Sequence, residues 1–63
     1  MSYEDVEVYL LAAEAANRLS VVGELNKAMN LAKKLSGEER KNVAERAKEI
    51  ARERGVPFDH PDL

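Results

Sequence analysis

Residues 6–19, VEVYLLAAEAANRL, decide the fold. At about 100° per residue, Glu7, Glu14 and Arg18 fall on one line, with Leu11 at its edge. The rest of the circumference is apolar and divides into two faces. Val6, Tyr9, Leu10 and Ala13 form one, and Val8, Ala12, Ala15, Ala16 and Leu19 form the other. A helix that is apolar nearly all round needs cover on more than one side, or it exposes a sticky surface. The stretch therefore predicts an inner helix, packed against two neighbours or against a partner. Asn17 lies on the Val6–Leu10–Ala13 face. It reads either as a polar residue that sets register at an interface or as an end-of-bundle residue bonded to backbone or water.

Working outward, Ser2 stands three residues before Asp5, with Glu4 between them. This is the pattern of an N-cap followed by carboxylates in the first turn, where the helix dipole favours negative charge. The first helix is expected over about 3–19. Ser20 is expected to break it and cap the next, because Val21, Val22 and Gly23 weaken helical continuity. A second helix over about 21–35 places Val21, Leu25, Ala28, Met29, Ala32 and Leu35 on one face, with Asn26, Lys27, Asn30, Lys33 and Lys34 turned away. Ser36-Gly37-Glu38-Glu39 is the sharpest local signal. Ser36 can cap a third helix while Glu39, three positions on, reaches back to it.

The third helix, about 37–54, has a narrow stripe of Val43, Ala44, Ala47, Ile50 and Ala51 among charges. Gly55 suits the left-handed position just past its end, with Val56 supplying an apolar contact. Pro57 and Pro61 exclude further helix, so residues 56–63 read as an extended tail, expected to fold back through Phe58. The expected fold class is all-α. A three-helix bundle occupies residues 1–55, followed by the Pro-containing tail 56–63.

Length and composition narrow the functions. A chain of 63 residues is one domain near the lower size limit for unaided folding. It has no cysteine, so neither a disulfide nor a thiolate metal site supports it. Its 44% hydrophobic and 35% charged residues are those of a globular helical domain and not of a disordered segment. The third helix offers only two large aliphatic side chains, each worth roughly 1.5–3 kcal/mol when buried. Backbone ordering costs roughly 1–2 kcal/mol per residue. Such a bundle needs a docked tail or a second copy. No apolar run reaches the ~20 residues of a membrane span. The acidic start, MSYEDVEV, lacks the basic residues of a targeting peptide, and the chain is read as cytoplasmic with no membrane partner.

Asp59-His60-Pro61-Asp62 holds the chain's one histidine beside carboxylates. A divalent site wants three or four suitable ligands, and the plainer reading is a solvated tail with one packed Phe. The carboxylate pairs Glu4/Asp5 and Glu38/Glu39 belong to helix first turns, and Glu45/Glu49 lies on a charged face. Acid–base catalysis also needs a pocket that shifts a pKa, which a domain this small has no room for. The expectation is no enzyme, no catalytic residue, no cofactor and no metal.

The second and third helices could pass for a helix-turn-helix. Lys27, Lys33, Lys34, Arg40, Lys41, Arg46, Lys48, Arg52 and Arg54 supply positive charge. Five glutamates interleave on the third helix and would repel phosphates. With a net charge of −2, nucleic acid is an unfavoured partner.

The leading reading is a non-enzymatic helical protein–protein interaction module, or an engineered helical-bundle scaffold. The alternative is a small helix-turn-helix DNA-binding domain. The first helix is expected to meet a protein partner or a second copy through Tyr9, Leu11, Val8 and Ala15. Four asparagines, Met29 on the apolar face and the Pro-containing tail look more like a reworked natural scaffold than an idealised one.

Overall fold

The chain turns at Asn17. In the computed structural model, which describes residues 2–63, the first helix ends earlier than its apolar pattern suggests. Helix α1 is Tyr3–Ala15, α2 is Arg18–Ala32 and α3 is Gly37–Arg54. The architecture is an all-α three-helix bundle. The corner expected at Ser20 lies instead at Ala16–Asn17, whose φ/ψ of −73/158 and −69/162 are relaxed extended values. Asn17 Oδ1 accepts the Leu19 amide at 3.0 Å. Arg18 and Leu19 thus belong to α2, and Ser20 is an interior helical residue. Lys33–Ser36, which the second helix was expected to include in part, form the turn into α3.

The other termini follow local chemistry. The Ser2 amide and hydroxyl both donate to Asp5 Oδ2, at 3.2 and 3.4 Å, at the start of α1. Ser36 Oγ accepts the Glu39 amide at 3.3 Å and donates to the Glu39 carboxylate, not its amide but its hydroxyl making the return bond. Gly55 takes φ +69, and the Val56 amide closes on the Ala51 carbonyl at 3.0 Å, the six-residue closure of a helix C-terminus.

The core is Val6, Leu10 and Ala13 from α1, Val21, Leu25, Ala28, Met29 and Ala32 from α2, and Val43, Ala47, Ile50 and Ala51 from α3, with Leu35 from the turn. The helix covered best is α2, not α1. The expectation of an inner α1 fails at Val8 and Ala15, which are exposed, while Ala12 is half-buried. Three helices supply one flank for each, and α1 spends its single buried face on Val6, Leu10 and Ala13. Against this core pack Val56, Phe58 and Leu63 of the C-terminal segment. The Cα radius of gyration, 10.4 Å, is that of a closely packed chain, for which about 11 Å is expected. No helix among the described residues is long and apolar enough to cross a membrane.

Candidate functional site

The side of α1 turned from the core is also apolar. Val8, Leu11 and Ala15 stand roughly 140–200° round the helix from Val6. Val8 is 61% exposed and Leu11 52%, whereas Val6, Leu10 and Ala13 are fully covered. Leu19, in the first turn of α2, is 95% exposed. Tyr9 is placed differently from its three candidate companions. It is half-buried against the core, with the Lys27 ammonium 5.9 Å from its ring centroid. The surface is therefore Val8, Leu11 and Ala15, with Tyr9 on the flank. Leu19 is the apolar residue that the sequence pattern, assuming a longer first helix, assigned to the same face.

Charge frames this surface. Between Tyr3 and Ala15 stand Glu4, Asp5, Glu7 and Glu14, and no basic residue. Glu14 accepts from Arg46 Nη2 at 2.6 Å, a pair that is half-exposed on both sides and so of small net worth. The rim is acidic around an aliphatic centre.

The basic residues of α2, α3 and the turn between them are partly engaged inside the molecule. Lys27 pairs with Glu24 at 3.6 Å, Lys33 with Asp62 at 3.9 Å and Arg46 with Glu14. Arg54 donates to the carbonyls of Glu14, at 3.0 Å, and of Ala16. Arg18 donates to the Gly55 carbonyl at 2.7 Å. The guanidinium groups of Arg18 and Arg54 cap backbone carbonyls and hold the helix ends together.

His60 departs from the solvated tail expected of it. It is buried, 8% exposed, and both ring nitrogens are engaged. Nδ1 accepts the Asp62 amide at 3.1 Å, so the proton resides on Nε2, which donates to Asn30 Oδ1 at 3.1 Å. The histidine is a tether between the C-terminal segment and α2. Among the described residues, no three His, Cys, Asp or Glu side chains come together as a metal would require. Two shallow concavities, of about 220 Å³ beside Glu14 and Arg54 and about 420 Å³ between α3 and Leu63, contain no paired nucleophile and base. Comparison of the chain with protein-family models, with curated proteins and with solved structures finds no match to any of them.

Proposed function

We propose that the chain is a non-enzymatic helical binding module whose contact surface is the outer face of α1. The observation that supports this is the exposure of Val8 and Leu11 on the side of α1 turned away from its fully covered Val6, Leu10 and Ala13. Exposed aliphatic side chains on a helix gain free energy when a partner removes them from water, at roughly 25 cal/mol per Å². Rimmed by Glu4 and Glu7, this face suits a basic amphipathic helix, whose charges would steer the encounter and fix its orientation.

The test is selection of binders from a displayed library of basic amphipathic helices. Binders are expected to lose affinity on the order of tenfold or more on Leu11→Glu or Val8→Glu, and to keep it on Asn42→Glu, an exposed control on α3. Binders indifferent to the two α1 substitutions, or none at all, overturn the reading. Duplex DNA bound at low salt and released by Lys33→Ala would support the helix-turn-helix alternative in its place.

A further inference from the structure

The corner between α1 and α2 contains neither glycine nor proline. It is Ala16-Asn17, flanked by Ala15 and Arg18, and three of these four residues are good helix formers. What bends the chain comes largely from elsewhere. Arg54 takes the carbonyls of Glu14 and Ala16, and Arg18 takes that of Gly55. Only the Asn17 cap is local.

Most of the covered residues on either side of this corner share one helical register, with Met29 at its edge. Val6, Leu10 and Ala13 are followed, across the bend, by Val21, Leu25, Ala28 and Ala32. The gap from Ala13 to Val21 is eight residues, with Asn17 at its midpoint. In a single straight helix all eight positions would form one face, with Asn17 its central polar member. The spacing is also symmetric: Ala13 and Val21 lie four residues from Asn17, and Val6 and Ala28 lie eleven. Two such helices, antiparallel and centred on Asn17, therefore offer each other the residues that α1 and α2 offer within one chain. Charge agrees with that arrangement. The α1 half carries only Glu4, Asp5, Glu7 and Glu14, while Arg18 and Lys27 outnumber Glu24 in the α2 half.

We propose that the chain exchanges α1 with a second copy of itself, by straightening at Ala16–Asn17 into one helix over residues 3–32. The contact is two-fold symmetric and closes as a dimer, with the two Asn17 side chains facing each other at its centre. It uses the covered face, so it stands apart from the binding surface on the outside of α1. Straightening also carries Leu19 onto the line of Val8, Leu11 and Ala15, three turns from Val8.

The experiment measures the distance between spin labels at Glu4→Cys and Lys27→Cys, unique sites in a cysteine-free chain. Labelled chain is diluted into unlabelled chain, and the dimer fraction is followed by sedimentation. In a straight helix the labels stand about 35 Å apart along the axis, at 1.5 Å per residue, beyond the 29 Å longest dimension of the closed chain. Asn17→Leu removes the cap and is expected to move the dimerisation midpoint to a concentration lower by on the order of tenfold. Those dimers should show the long distance. Asn17→Pro, by contrast, is expected to keep the monomer and the short distance, because proline suits φ −69 after the extended Ala16 but not the interior of a straight helix. An Asn17→Leu chain that folds and stays monomeric, or dimerises at the short distance, overturns the proposal. Should that variant fail to fold, the parent chain refolded at millimolar concentration carries the test, and absence of the long distance there overturns it equally.

Discussion

Arg54, the last residue of α3, donates to the carbonyl oxygen of Glu14, near the end of α1, at 3.0 Å across 40 residues of chain. The last carbonyls of a helix have no partner within it. Here they are satisfied by a guanidinium delivered from a different element. The C-terminus of α1 is thus a tertiary feature.

Removing that donor should therefore act on the whole fold. Arg54→Ala is expected to cost about 1–2 kcal/mol, as for the loss of a charged hydrogen bond in a partly covered position. Thermal unfolding followed by circular dichroism checks this, since each kcal/mol lowers Tm by roughly 4–8 °C in a domain this small. Arg54→Lys, with one point donor in place of a planar fork, should fall between parent and Ala.

Leu25 and Leu19 lie six residues apart on α2 and are opposite in environment, at 0% and 95% exposure. Leu25→Ala is expected to cost about 2–5 kcal/mol through lost transfer energy and a cavity. A chain of this length has roughly 3–9 kcal/mol in all, so urea denaturation should find little or no cooperative transition left. Leu19→Ala should stay within about 0.5 kcal/mol of the parent.

The bond between His60 Nε2 and Asn30 Oδ1 ties the C-terminal segment to α2. A double-substitution cycle with His60→Ala and Asn30→Ala is expected to return a coupling of about 0.5–1.5 kcal/mol. Hydrogen exchange should show the Leu63 amide, bonded to the His60 carbonyl at 3.0 Å, losing protection in His60→Ala.

Two glycines should respond with opposite signs to alanine. Gly55 holds φ +69, and a side chain there finds free space but a disfavoured backbone. Gly55→Ala is expected to destabilise by about 1 kcal/mol. Gly23 lies inside α2 with open space at its Cβ position, and Gly23→Ala should stabilise by up to about 1 kcal/mol. Chemical denaturation of the pair reads both.

The helix ends that sequence located best were those built from neighbours. Ser36 with Glu39 and Gly55 with Val56 complete their bonds within five residues, so the limits of α3 and the covered face of Val43, Ala47, Ile50 and Ala51 were readable. The corner at Asn17 was not. Ala15, Ala16 and Arg18 carry no stop signal, and Asn17 alone looked like one polar residue on an apolar face. His60 was likewise unreadable, because Asn30, its partner, lies thirty residues away on the outward side of α2. Of the surface on α1, Val8, Leu11 and Ala15 were identified and found open, while Tyr9 turned toward the core.

Periodicity and capping chemistry, both short-range, determined that this chain is three helices and which face of α2 and α3 is covered. Which of the two apolar faces of α1 meets the core, and where α1 stops, depended on groups distant in sequence. A pattern apolar on both sides contains no preference between them. The choice was made when α2 and α3 covered one side, and when Arg54 arrived to take the carbonyls that a longer helix would have kept.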